Sequence, residues 1–233
     1  PKKPFLLISS NINSTNMMQF HDVIKFQRDA GYFDRDPDLF KNLFHMMAEN
    51  FRKLYSFIDA IKYLANNNDR FDIVLRPHPT ENIQAWKIFL ENVPNVHVVR
   101  QDSISTWVKN SFAVMHNGCT TAIEATISGK PVLTYVPFDM DYINEIPNLL
   151  GYKITTKDEL LTKANEILDS KKNNFYEELA KKNFETISQK IYIDKEQLAA
   201  QKILNIWESF NDKKYSQPIN LLKFNFYELF KVK

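Results

Sequence analysis

The 233-residue sequence predicts an α/β protein: a Rossmann-like, doubly wound parallel sheet followed by C-terminal helices. Three observations predict it. Short apolar runs suited to buried strands recur at 5–8, 71–75, 96–99, 112–115 and 132–136. Stretches with helical period or helix stop signals lie between them, so strand and helix alternate as in parallel βαβ units. From residue 174 onward the pattern is all helical.

Each element has a local reason. The run 5–8 is followed by Ser9-Ser10-Asn11-Ile12-Asn13-Ser14-Thr15-Asn16, too polar for a core and read as a loop at a strand's carboxyl end, either solvated or facing a ligand. Residues 23–37 show no clean period and contain Gly31 and Asp36-Pro37, which predicts an irregular excursion over the site. Residues 38–66 predict a long helix: Leu39, Leu43, Met46, Met47, Phe51, Leu54, Phe57, Ile58, Ile61 and Leu64 recur at three- and four-residue steps and read as core. The strand 71–75, apolar apart from Asp72, is stopped by Pro77 and Pro79, which hold His78 between two rigid residues. A helix at 81–92 and a strand at 96–99 follow. The helix 103–111 is capped by Asp102 or Ser103.

The strand 112–115 ends at His116-Asn117-Gly118. Thr120 and Thr121 open a helix that carries Glu124 and stops at Gly129-Lys130-Pro131, and the next buried strand is 132–136. Residues 138–151 read as a loop with a short helical piece. Thr156, with Glu159 as capping-box partner, opens a helix to 168. Helices at 175–191 and 194–210 come next. The last stretch, 219–230, holds Leu221, Leu222, Phe224, Phe226, Tyr227, Leu229 and Phe230. It is expected to pack on this domain or a second one rather than to anchor at a membrane interface.

Composition narrows the function. A formal net charge of +2 gives no support to a nucleic-acid binder. The single cysteine, Cys119, excludes an internal disulfide, fits a reducing, cytoplasmic compartment, and reads as a small packed residue. No apolar run approaches the roughly 20 residues of a membrane span, and no signal peptide is seen. The sequence starts at Pro1 and is read as a piece of a longer protein.

In an open parallel sheet, ligands bind beyond the carboxyl ends of the strands. That edge is expected to gather Arg76, His78, His116, Asn117, Gly118, Thr120, Thr121 and Glu124. A helix start offers unpaired N–H groups to phosphate, and glycine lets the backbone come close. Thr120 and Thr121 either donate to phosphate or cap the helix. Glu124 either reaches a ribose hydroxyl or pairs with Arg76 or Lys130. Arg76 suits bidentate phosphate contact. His116 is a ligand contact or a structural histidine, and His78 is the favoured functional residue. His21, His45 and His97 read as structural. No metal-ligand spacing, GxGxxG or Walker A sequence occurs.

RPHPTE followed by HNGCTTAIEA and GKPVLTYVP resembles the donor half of GT-B glycosyltransferases of bacterial surface-carbohydrate synthesis. The similarity is to the capsule-type Kdo transferases and to sialyltransferases with paired HP and Ser/Thr motifs, and it covers about residues 1–150. It implies that His78-Pro79 and Thr120-Thr121 contact the phosphate of a CMP-sugar, with His78 as the catalytic group and no cofactor or metal required. It implies a nucleotide-sugar donor, a glycan or glycolipid acceptor, and an N-terminal domain or partner chain that supplies the acceptor site and the base. It also implies a cytoplasmic location, peripheral to the inner face of the membrane. On this reading 1–170 form the nucleotide-sugar-binding domain and 171–233 a helical extension that packs on it and on a missing N-terminal domain. A nucleotide-sugar 2-epimerase and a non-catalytic nucleotide-binding or scaffolding module are the rival readings.

Overall fold

A computed structural model of the chain describes residues 1–12, 20–36, 38–141, 145–169, 174–191 and 199–211. Six strands form one sheet: β1 (Phe5–Ser9), β2 (Asp72–Arg76), β3 (Val96–Val98), β4 (Ala113–His116), β5 (Val132–Tyr135) and β6 (Tyr152–Ile154). Every neighbouring pair is parallel, in the order 3-2-1-4-5-6. This is the Rossmann-like α/β fold predicted from the sequence. The chain reverses its direction of travel across the sheet between β1 and β4, the crevice where ligands of such sheets bind. The register aligns Ser9 with both Arg76 and His116, so three strand ends finish level.

The strands are apolar on both faces because helices cover both. Leu6, Ile8, Ile73, Leu75, Ala113, Met115, Leu133 and Tyr135 share one core cluster with Leu54, Phe57, Ala60, Ile61 and Leu64 of the long helix. The helices α1 (Phe20–Asp29) and α2 (Tyr32–Arg35) replace the irregular excursion expected over 23–37; Gly31, at φ 68°, separates them. After them come α3 (Leu39–Asn66), α4 (Ile83–Phe89), α5 (Ile104–Asn110), α6 (Thr121–Ile127), α7 (Glu145–Asn148), α8 (Lys157–Asp169), α9 (Asn174–Ser188) and α10 (Ala199–Asn211). The α5 cap is Ser103, whose hydroxyl accepts from Thr106 N–H. Thr156 Oγ1 accepts from Glu159 N–H at 3.2 Å, while the Glu159 carboxylate receives Thr155 N–H rather than the expected Thr156 N–H. Strand β6 was not anticipated. At Gly129, φ 65°, α6 ends in a paired turn: Lys130 N–H donates to Ala125 O and Gly129 N–H to Thr126 O.

Helix α3 sets the geometry of the site. Its 28 residues span about 42 Å at 1.5 Å per residue, whereas a five-residue strand spans about 17 Å. Its C-terminal end joins the start of β2 through a turn in which Asn68 Nδ2 donates to Phe71 O. The stretch from Leu54 onward covers the sheet, and the N-terminal stretch therefore overshoots the carboxyl edge. Phe51, expected in the core, is 54% exposed.

Residues Pro1–Lys190 form one compact unit and Ile191–Lys233 a second. The expectations for 13–16, 192–198 and 219–230 lie outside the described residues. Among the described residues, no helix is long and apolar enough to cross a membrane.

Candidate functional site

The turns after β1 and β4 interlock at the switch point. Ser9 Oγ donates to Thr121 Oγ1 at 3.0 Å and lies 3.2 Å from Cys119 Sγ. Asn11 Nδ2 donates to Gly118 O at 2.9 Å. Gly118 has φ 73°, and its N–H donates to Asn148 Oδ1 at 2.6 Å; Asn148 Nδ2 in turn donates to Asn117 Oδ1 at 3.1 Å. A side chain at position 118 would be strained there. Thr121 is buried, and its hydroxyl is occupied by Ser9. Thr120 is exposed and does not cap α6 with its side chain.

The HP turn lies one strand further away than the sequence alone suggested, because β1 stands between β2 and β4. His78 is half-buried. Thr80 N–H donates to His78 Nδ1 at 3.3 Å, and the Thr80 hydroxyl is 2.8 Å from the same atom. Nδ1 is thus an acceptor, which leaves the Nε2 proton of the neutral ring available to a ligand. Arg76 does not pair with Glu124. Its guanidinium donates to Gln101 O at 2.7 Å and Asp102 O at 2.8 Å, fixing the turn before α5. Glu124 accepts from Ser105 Oγ at 3.0 Å, and Lys130 Nζ donates to Ser111 O at 2.9 Å.

Glu81 holds the β1 and β2 turns together. Its buried carboxylate accepts from Ser10 Oγ at 2.9 Å, Ile12 N–H at 2.9 Å and Trp86 Nε1–H at 2.7 Å. Arg100 donates to the Glu81 carbonyl. A carboxylate so engaged is a structural anchor rather than a proton acceptor for substrate.

His116 is fully buried. The Thr134 hydroxyl donates to Leu150 O, so its oxygen accepts from His116 Nε2–H at 3.0 Å. That leaves Nδ1 deprotonated, and it has no partner. Burial first, and the positive charge of Lys53 second, push the His116 pKa down to about 3.

The residues missed in the sequence lie on the overshooting part of α3. Lys53 is 3% exposed and Asn50 1%, and Glu49 is buried beside them. Desolvation lowers the Lys53 pKa to about 8; electrostatic interaction with Glu81, Cys119 and Glu49 counters it only in part. Asn50 leaves both Nδ2 and Oδ1 without a hydrogen-bond partner, and Asn117 leaves Nδ2 so. A signal existed: 43, 47, 50, 54, 57, 61 and 64 alternate by fours and threes, so Asn50 occupies a core position of the helical stripe.

Among the described residues, one side-chain group is close enough to share a cation: His45, Glu49 and Asp141, whose ligand atoms lie within 4.8 Å of one another. His45 Nε2 is 3.8 Å from Glu49 Oε1 and 3.7 Å from Asp141 Oδ2. Asp141 N–H donates to Glu49 Oε1 at 2.9 Å, so the trio also pins the loop after β5 to α3.

No protein-family model and no curated protein matches the sequence. Solved structures do match the fold. CalG4, the calicheamicin glycosyltransferase, is 12% identical with a TM-score of 0.51, over 92% of this chain and 44% of its own. Staphylococcus aureus MnaA, solved with UDP, is 13% identical with a TM-score of 0.48, over 90% of this chain and 46% of its own. UDP-GlcNAc 2-epimerase from Neisseria meningitidis, bound to UDP-GlcNAc, is 15% identical with a TM-score of 0.43, over 80% and 44%. The chain therefore spans less than half the length of these structures. The likeness to CalG4 shows the fold alone: a Rossmann-like α/β domain of the kind that GT-B structures contain.

Proposed function

We propose that the chain is the donor-binding half of a nucleotide-sugar-dependent glycosyltransferase of the GT-B type, acting in surface polysaccharide or lipopolysaccharide synthesis with a CMP-linked donor. The observation that carries this reading is that the turns after β1 and β4 interlock at the switch point of a 3-2-1-4-5-6 sheet, with the turn after β2 tied to the turn after β1 through Glu81. At this edge His78 keeps Nε2–H for a ligand and Thr120 keeps an exposed hydroxyl. Fixed donors facing a leaving phosphate stabilise the charge that develops as the glycosidic bond breaks. Binding is the chemistry assigned to this chain; the acceptor site and the base belong to another domain or a partner.

Calorimetry with CMP, CDP, UDP, GDP and their sugars tests it. One nucleotide should bind, and His78→Ala should weaken it by about tenfold while the urea midpoint stays unchanged, the scale of one charge-assisted hydrogen bond. Binding of no nucleotide, or full affinity in the folded variant, overturns the reading. Product analysis separates it from epimerisation, which needs no acceptor.

A further inference from the structure

Lys53 is an unusual residue to find inside a helix–sheet interface. Lysine is almost never fully buried unless paired, and a buried charge with no partner is costly. Yet Lys53 makes no hydrogen bond or close ion pair with any described residue, and Asn50, one turn earlier on the same helix, is buried with its amide unpartnered at both atoms. Two adjacent turns of one helix thus carry buried polar side chains without a hydrogen-bond partner among the described residues.

Their position is informative. Lys53 lies 13 residues before the end of α3 at Asn66, about 20 Å along the axis, against about 17 Å for the strands. Since that end of α3 meets the start of β2, Lys53 stands level with the carboxyl edge. The titratable groups near enough to interact with it electrostatically come from three elements besides its own: Glu81 from the turn after β2, Cys119 from the turn after β4, and His116 from β4 itself; Glu49 does so from α3. Glu81 is already anchored by three donors, so it does not claim the ammonium. A cation on a side chain only 3% exposed is weakly screened, so it influences a ligand group seated above it over several ångströms.

We infer that Lys53 and Asn50 form an oxyanion subsite beneath the switch point, which draws one anionic oxygen group, a phosphate or a carboxylate, of the ligand into the crevice between β1 and β4. The inference rests on the nucleotide-sugar reading for what carries that group, and the residues themselves recognise only the anionic oxygens. Lys53 supplies the charge; the Asn50 amide supplies one donor and one acceptor for the oxygen or hydroxyl beside it. No bond is made or broken there.

The test compares the wild type with Lys53→Met, Lys53→Arg and Asn50→Leu, using pyrophosphate, the nucleotide found to bind, glucuronate as a sugar carboxylate, and the matching uncharged nucleoside. Lys53→Met should weaken the anionic probe by at least tenfold, leave nucleoside affinity unchanged, and keep or raise the urea midpoint at pH 7. Lys53→Arg should retain most of the affinity, and Asn50→Leu should lose severalfold. A loss for pyrophosphate and nucleotide assigns the subsite to phosphate; a loss for glucuronate alone assigns it to carboxylate. Equal affinity of wild type and Lys53→Met for every anion overturns the inference and leaves the nucleotide reading standing, and so does a fall in nucleoside affinity as large as that for anions. If the wild type binds no nucleotide, the nucleotide reading fails, and pyrophosphate alone then decides: a tenfold loss in Lys53→Met sustains the subsite, and absence of binding removes it.

Discussion

At the scale of single residues, the buried polar groups set how the protein responds to pH. His116 has a folded pKa of about 3 against 6.5 for an exposed histidine. The unfolded chain therefore takes up a proton below pH 6.5 that the folded protein refuses until pH 3. Stability present above 6.5 is lost as pH falls through that window, by about 2 kcal/mol between pH 6.5 and 4.5 from this residue. Urea midpoints at pH 7.5 and 4.5 should separate further in the wild type than in His116→Gln, and equal separations would count against the burial argument. Lys53 acts at the other end. Its folded pKa of about 8 lies below the ordinary 10.5, so its cost is fully present below pH 8 and is relieved as pH rises toward 10.5. Wild-type stability should rise relative to Lys53→Met between pH 7 and 9.5; a constant difference would show that the ammonium is better solvated than its burial implies. Of these residues, His116 and the His78 turn were legible in the sequence because each ends an apolar run at a proline or glycine signal. Lys53 and Asn50 were not, because a search for apolar period passes over a polar residue in a core position, and only the fold shows that α3 outruns the strands.

At the scale of elements, two glycines with positive φ separate local from tertiary constraint. Gly129 ends α6 at φ 65°, and an added Cβ would meet nothing within 4 Å. Gly151 precedes β6 at φ 87°, and there a Cβ would lie 2.5 Å from Val132 O and 2.7 Å from Val132 Cγ1. Its N–H also donates to Asn183 Oδ1 at 3.1 Å, tying the start of β6 to α9. Gly129→Ala should cost about 1 kcal/mol, the strain of left-handed backbone alone. Gly151→Ala should cost upward of about 3 kcal/mol, because backbone as well as side chain must shift. Urea titration of both variants checks the order, and a Gly151→Ala cost no larger than that of Gly129→Ala would show that the β5–β6 edge yields. The same contrast explains which elements could be read in advance. β2, β4 and β5 are central, buried on both faces and written as apolar runs. β6 is a three-residue edge strand, Tyr152-Lys153-Ile154, whose existence depends on pairing with β5 rather than on its own residues. α1 and α2 stayed illegible because Gly31 and the charged residues around them break any stripe that the sequence could show.

At the scale of the whole molecule, the described residues at the strand ends offer hydrogen-bond donors, while the acceptors of His78, Glu81 and Glu124 are engaged elsewhere. Glu81 is saturated by three donors, Glu124 holds Ser105, and His116 is sealed inside with its lone acceptor nitrogen. Asp139 is exposed on the loop after β5. A transferase must deprotonate its acceptor as the glycosidic bond breaks, so donor recognition without a placed base stops short of turnover. On the proposed reading, the 233-residue chain should bind a nucleotide and fail to transfer sugar to an acceptor. Activity should appear only when a second domain or chain that brings the acceptor is present. Transfer from radiolabelled donor, measured with and without such a partner, decides the matter. Turnover by the chain alone would overturn the division of labour, and loss of that turnover in Asp139→Asn with donor affinity intact would locate the base on the β5 loop.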